Sequence, residues 1–141
     1  MRYVLDSNVA LKWVLPESDS AQAIRLRDEF LAGVHQLLAP DVFLAEVGHS
    51  LTRLERRGLI QPPDGARRFS DVLAALPAII PSVPISTRAF EISSQSRHGF
   101  YDCLYVALAE RAGCELLTAD QKLINNLQAA FPFITSLSSL P

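Results

Sequence analysis

Arg2-Tyr3-Val4-Leu5-Asp6-Ser7-Asn8 opens the chain with a short apolar run closed by an acid, and Glu115-Leu116-Leu117-Thr118-Ala119-Asp120 repeats the arrangement near its end. Runs this short, bounded by polar residues and followed by apolar residues at helical spacing, read as buried strands that pass into helices. In an open parallel sheet, the crevice outside the carboxyl ends of the strands is where ligands bind, at a reversal of strand order. If the first and fourth strands are neighbours, Asp6 and Asp120 face one such crevice.

Outward from these two runs, strands and helices alternate. Tyr3–Leu5 is the first strand, and Asn8–Leu15 is a short helix stopped by Pro16. Ser18 or Asp19 is placed to cap a second helix running to about Ala32, with Gly33 as terminator. Gln36–Ala39 is a strand closed by Pro40. Val42–Arg57 is a helix with Phe43, Val47, Leu51 and Leu54 on its buried stripe, ended by Gly58. Pro62 and Pro63 start another helix, up to Pro77, with Phe69, Val72, Leu73 and Leu76 at helical spacing. Ile79–Val83 reads as a strand that Pro81 weakens. Thr87–Arg97 and Asp102–Ala112 follow as helices, Glu115–Thr118 as a strand, Asp120–Ala130 as a helix and Phe133–Thr135 as a last strand. The expected fold is α/β: three layers, with a central parallel sheet of four to five short strands between helices. Its 141 residues suit a single domain over 1–141.

Composition excludes several classes. With 49% hydrophobic and 20% charged residues, the chain is neither disordered nor fibrous. No apolar run approaches the ~20 residues of a membrane span, and the charged Met1–Asp6 start is no signal peptide. Cys103 and Cys114, without metal-finger spacing, are expected as reduced thiols of a cytoplasmic protein. The net charge of −2 rests on 15 acids and 13 bases. Without Asp6, Glu46, Asp102 and Asp120 the balance becomes 13 − 11 = +2, so charge neither selects nor excludes a nucleic-acid partner.

Those four acids carry the chemistry. Glu46 and Asp102 lie in the first turns of mostly apolar helices that follow connections from strands, and so near the same sheet edge. Taken singly, Asp6 and Asp120 read as helix caps, Asp102 as an acid favoured by the helix dipole, and Glu46 as half of a salt bridge. Taken together, four converging carboxylates repel by roughly 4 kcal/mol per pair at ~4 Å and an effective dielectric of ~20. A hard divalent cation removes that repulsion, and oxygen-only ligands favour Mg²⁺ or Mn²⁺. Such an ion polarises a phosphoryl oxygen and activates water. With no P-loop and no GxGxxG after the first strand, phosphodiester hydrolysis fits better than nucleotide-driven transfer or dinucleotide redox chemistry.

Four segments, in order and over nearly the whole chain, resemble the PIN-domain nucleases and in particular the VapC toxins of bacterial type II toxin–antitoxin systems. They are Leu5-Asp6-Ser7-Asn8-Val9 with Lys12-Trp13; Ala39-Pro40-Asp41 through Leu44-Ala45-Glu46-Val47 and Leu51; Tyr101-Asp102-Cys103-Leu104-Tyr105-Val106-Ala107-Leu108-Ala109; and Leu117-Thr118-Ala119-Asp120 with Leu123. The resemblance implies a Mg²⁺- or Mn²⁺-dependent endoribonuclease with Asp6, Glu46, Asp102 and Asp120 as metal-binding and catalytic acids, Asp6 and Asp102 foremost. It implies that Asn8 and Thr118 orient the acids, that the protein forms a homodimer, and that a small antitoxin inhibits it. Where the family often has Asn three residues after its second acid, this chain has His49, which either donates the same hydrogen bond or is a plain helix-surface histidine. His35 and His98 read as loop or surface residues.

An RNA substrate needs basic residues at the rim of an acidic crevice. Lys12, Arg97 and Lys122 lie near the motif segments. Arg53, Arg56, Arg57, Arg67 and Arg68 read first as a solvated helix end. Tyr101 and Trp13 are candidates to stack on a base, although core packing suits Trp13 better. A binding module that keeps the fold without cleavage, and a DNA-directed nuclease, are the competing functional readings.

Overall fold

In the computed structural model, which describes residues 1–141, strand β1 (Arg2–Leu5) lies in the middle of the sheet, with Tyr3, Val4 and Leu5 buried. The other strands are β2 (Gln36–Pro40), β3 (Ala78–Ile80), β4 (Glu115–Thr118) and β5 (Ile134–Ser136). Their order is β3-β2-β1-β4-β5 and every neighbouring pair is parallel. The chain builds outward from β1 to one edge, then returns to add β4 and β5 on the other side. The reversal falls between β1 and β4, where the register pairs Leu5 with Leu117. Asp6 therefore emerges beside Thr118, its N–H donating to the Leu117 carbonyl at 3.0 Å.

Seven helices flank the sheet: α1 (Ser7–Val14), α2 (Ser20–Leu31), α3 (Phe43–Arg56), α4 (Pro62–Leu73), α5 (Val83–Ser96), α6 (Phe100–Ala112) and α7 (Gln121–Leu127). Helix α6 lies across β1, β2 and β4, and α5 packs on α6. Helix α1 contacts β4 and carries α2, α3 and α4. Cys103 through Ala109 are all buried; a helix apolar on every side must be covered on every side. Gly113, in the left-handed region at φ 65, turns the chain out of α6 into β4. Trp13 is a core residue, as its packing role required. No helix is long and apolar enough to cross a membrane, and both cysteines are free thiols.

Several expected boundaries are corrected. The strand expected over Ile79–Val83 is only Ala78–Ile80. Beyond it, Ser82 donates both its N–H and its hydroxyl to the Asp41 carboxylate, which ends the strand and holds that carboxyl below the usual range. Val83 and Pro84 then form the first turn of α5, four residues before the expected start at Thr87. Proline suits a first turn, whose N–H groups lack intrahelical partners. Neither Ser18 nor Asp19 caps α2 through its side chain; Asp19 is left-handed at φ 63, and Ser20 instead bonds the Glu17 N–H and the Leu15 carbonyl, each at 3.0 Å. Of the apolar residues at helical spacing in α4, Val72 is buried and Leu73 is exposed. Helix α6 starts at Phe100, so Asp102 lies in its first turn without opening it, and α7 stops at Leu127 rather than Ala130.

Candidate active site

Because β1 ends one residue before it, Asp6 leaves the sheet at the reversal point with its side chain 3% exposed. Its Oδ2 accepts from the Thr118 hydroxyl at 2.8 Å and from Asn8 Nδ2 at 3.3 Å. Thr118 Oγ1 also accepts from the Asp120 N–H at 3.0 Å, and Asn8 Oδ1 from the Ala119 N–H at 3.1 Å. Asn8 and Thr118 thus tie the end of β1 to the end of β4.

Glu46, in the first turn of α3, is reached from two sides. The Tyr105 hydroxyl donates to its Oε1 at 2.6 Å, and the Ser7 hydroxyl lies 3.3 Å from the same oxygen and 3.5 Å from Asp6 Oδ1. Burial pushes the Asp6 carboxyl up to about 7; the Thr118 bond opposes this, and the negative charges of Asp102 and Glu46 add to it. Glu46 is raised for the same reasons: burial first, opposed by Tyr105, reinforced by Asp102. No lysine or arginine pairs with any of these acids. Asp6, Glu46 and Asp102 therefore share one negative field that no lysine or arginine offsets.

Asp120 stands differently. It lies at the same edge, but its Oδ1 caps α7, accepting from the N–H groups of Lys122 at 2.9 Å and Leu123 at 3.3 Å. Its charge is not among those acting on Asp6 or Glu46. Of the four acids expected to converge, Asp6, Glu46 and Asp102 thus act on one another by charge, while one oxygen of Asp120 caps its own helix. As the side chains stand, no three acidic, imidazole or thiol groups close on one point at ion-binding distance. The donor set still suits a hard cation: oxygen ligands only, one carboxylate buried, and no lysine or arginine to neutralise them.

The other candidates separate clearly. His49 is exposed and bonds none of the acids; it lines a cleft of about 600 Å³ together with Ser7, Asn8, Glu46 and Tyr101. Tyr101 is 62% exposed there, open to a ligand. Lys12 is engaged, its ammonium 2.7 Å from the Ser18 carbonyl and 3.8 Å from Glu17. Arg97 and Lys122 are exposed, with no acidic partner. Arg67 and Arg68 are paired with Asp64 in α4, which agrees with a structural role.

Sequence reasoning missed Tyr105, Ser7 and His98. Tyr105 is fully buried; the signal was its hydroxyl, which needs a partner when buried. His98 is not a surface residue: it is 5% exposed, with Nε2 2.7 Å from Asp102 Oδ2. His35 is likewise half-buried, edge-on to Tyr3 and 2.5 Å from Glu29.

Tyr105→Phe deletes only the hydroxyl and leaves Glu46 with Ser7 as its remaining side-chain donor. The expected cost is about 1–3 kcal/mol of unfolding free energy above neutral pH. Since the lost bond favours the charged carboxylate, the cost shrinks as pH falls and Glu46 takes up its proton. Urea unfolding of both proteins across that range checks this; a cost that does not change with pH contradicts it.

The PIN domain family model matches residues 3–127. The chain is 30% identical over 129 residues to the VapC ribonuclease Mb0985 of Mycobacterium bovis, covering 92% of this chain and 94% of that protein. It is 28% identical over 131 residues to ribonuclease VapC3 of Pyrobaculum aerophilum, covering 92% and 97%. Among solved structures, the Pyrobaculum aerophilum protein PAE2754 superposes with a TM-score of 0.73 at 19% identity, over 99% of this chain and 85% of that one. A chain of the VapBC2 complex of Rickettsia felis, bound to a DNA fragment from its promoter, superposes at 0.67 with 17% identity, over 96% and 97%.

Proposed function

The chain belongs to the PIN-domain family, and on that premise we propose that it is the endoribonuclease toxin of a type II toxin–antitoxin pair, hydrolysing RNA phosphodiester bonds with Mg²⁺ or Mn²⁺. The observation that carries this is the buried Asp6 in one negative field with Glu46 and Asp102, with no lysine or arginine to balance them. The names of its relatives, VapC ribonucleases matched over most of both chains, support the reaction class.

In this reading residues 1–141 form one PIN domain, working in the cytoplasm. Asp6, Glu46 and Asp102 would hold the ion, and Asp120 would support it from the cap of α7. When bound, a divalent cation would supply an activated water and charge stabilisation at the leaving oxygen. Thr118 and Asn8 hold Oδ2 of Asp6, and Tyr105 and Ser7 hold Oε1 of Glu46, which leaves the other oxygen of Glu46 without a side-chain hydrogen bond. Arg97 and Lys122 draw the phosphate backbone to an otherwise acidic rim. Lys12, engaged elsewhere, has no part in this. The homodimer and the small antitoxin complete the proposal; the resemblance to chains of toxin–antitoxin complexes supports the second.

The test is turnover of structured and single-stranded RNA by purified protein, with Mg²⁺, with Mn²⁺ and with EDTA. Cleavage that disappears with EDTA and returns with either ion is the expected result. RNA bound but never cut, whatever the ion, favours a binding module instead, and cleavage of DNA alone favours a DNA-directed nuclease.

A further inference from the structure

His98 and Asn126 have no part in the reading so far, yet they form a hydrogen-bonded chain, His98 buried and Asn126 exposed, that ends on one of the acids. His98 sits in the turn between α5 and α6, where Arg97 is left-handed at φ 59 and Gly99 precedes the first residue of α6. Its backbone is held on both sides: the Ser93 hydroxyl donates to its carbonyl at 2.5 Å, and its N–H donates to Ser96 Oγ at 3.3 Å. Its ring is held at both nitrogens. Nε2 lies 2.7 Å from Asp102 Oδ2, and Nδ1 lies 3.1 Å from Asn126 Nδ2 on α7.

The chemistry of those contacts fixes the proton. A side-chain amide nitrogen only donates, so Nδ1 must accept from Asn126. A neutral ring that accepts at Nδ1 carries its hydrogen on Nε2, directed at the carboxylate. The reverse tautomer would set two hydrogens against each other at Asn126 and two lone pairs at Asp102. One oxygen of Asp102, Oδ2, is thereby engaged, and the other accepts no side-chain hydrogen bond.

We propose that His98, locked by Asn126 with its hydrogen on Nε2, is a positioning residue that holds Asp102 in the orientation in which its other oxygen meets the cation. The proposal rests on the metal-dependent reading above. It also gives α7 a role besides capping by Asp120, since α7 supplies the residue that sets the imidazole. Groups that orient a metal-binding carboxylate from outside typically change metal affinity by about 10–100-fold.

The experiment measures Mn²⁺ affinity by electron paramagnetic resonance, without RNA, for the full chain and three variants. His98→Phe should weaken binding by about 10–100-fold. His98→Gln keeps an N–H donor near the position of Nε2 and should recover most of the loss, whereas a role in packing alone predicts Gln to be no better than Phe. Asn126→Ala should weaken binding by a smaller factor. In parallel, nitrogen-15 correlation spectra of the imidazole should show hydrogen on Nε2 in the wild type and a mixture of tautomers in Asn126→Ala. A His98→Phe affinity equal to wild type, a Gln variant no better than Phe, or a wild-type ring protonated at Nδ1 overturns the proposal. If His98→Phe does not fold, Asn126→Ala decides alone: wild-type affinity together with an unchanged tautomer overturns it. A wild type that binds Mn²⁺ but cuts no RNA refutes the ribonuclease reading while leaving the positioning result intact; a wild type that binds no Mn²⁺ refutes both.

Discussion

Asp6→Asn is expected to abolish metal-dependent RNA cleavage and, in the same protein, to stabilise the metal-free fold. The loss should reach at least about 1,000-fold, which corresponds to about 4 kcal/mol of transition-state stabilisation. The gain follows from linkage. Burial and the charges of Asp102 and Glu46 raise the folded-state carboxyl from 3.8 to about 7, so the folded chain holds this proton more tightly than the unfolded chain does. A raised carboxyl contributes stability that is fully present below about pH 4 and is lost as pH rises through about 7. The replacing amide is neutral throughout and escapes that loss. Its advantage should therefore be absent near pH 4 and grow to at most roughly 4 kcal/mol near pH 8. Urea unfolding in EDTA at those two pH values checks it. A variant that cleaves RNA like wild type overturns the active-site assignment, whereas a variant no more stable near pH 8 overturns the electrostatic account alone. The same carboxyl must shed its proton to bind an ion, so Mg²⁺ affinity of the wild type should rise with pH up to about 7 and beyond.

The two effects oppose each other because the site is built for a charge the protein does not supply. Three carboxylates in one field are a cost to the fold alone and become favourable only with a cation among them. That is why Asp6 is legible in the sequence: an acid closing an apolar run has few explanations. The parallel α/β class is legible too, from strands that alternate with helices, whereas the sequence left the neighbourhood of β1 and β4 as a condition that the structure meets. The features that sequence does not reveal depend on local backbone or on distant contacts. Ile79 to Val83 reads as a strand by composition, but the bonds from Ser82 to Asp41 end it and hand Val83 to the next helix. Asp120 has the same setting in sequence as Asp6, yet its carboxylate turns into the α7 cap, which periodicity cannot distinguish from turning into the crevice. His98 precedes Asp102 by four residues without sharing a helix with it, because Arg97 and Gly99 break the turn between them, and its other partner lies on α7.

Thr118→Val should be the most costly conservative change at the site, because one hydroxyl serves three groups. It donates to Asp6 at 2.8 Å, accepts from the Asp120 N–H at 3.0 Å and lies 3.5 Å from Asn8 Nδ2. Valine matches threonine in shape and fills the same buried space, so no cavity forms and the effect is that of the hydroxyl. Losing a bond to a charged acceptor and orphaning a backbone N–H together cost about 2–4 kcal/mol. The part that belongs to Asp6 depends on pH. The Thr118 bond is the largest influence holding the Asp6 carboxyl down, so without it that carboxyl rises further above its ordinary value. The destabilisation should then be greatest above about pH 7, where wild-type Asp6 is ionised, and smaller near pH 5, where only the Asp120 N–H contribution remains. RNA cleavage near pH 7 should fall by about 10–100-fold and recover partly at higher pH, since a hydrogen-bonding group behind a metal-binding acid is being removed. In the Asp6→Asn background the same substitution should cost about 1–2 kcal/mol less, because the charge it served is gone. Thr118→Ser, which keeps the hydroxyl, should restore most of both properties. Equal destabilisation near pH 5 and near pH 8, or full additivity with Asp6→Asn, would mean that Thr118 holds the strand end alone and does not tune the acid.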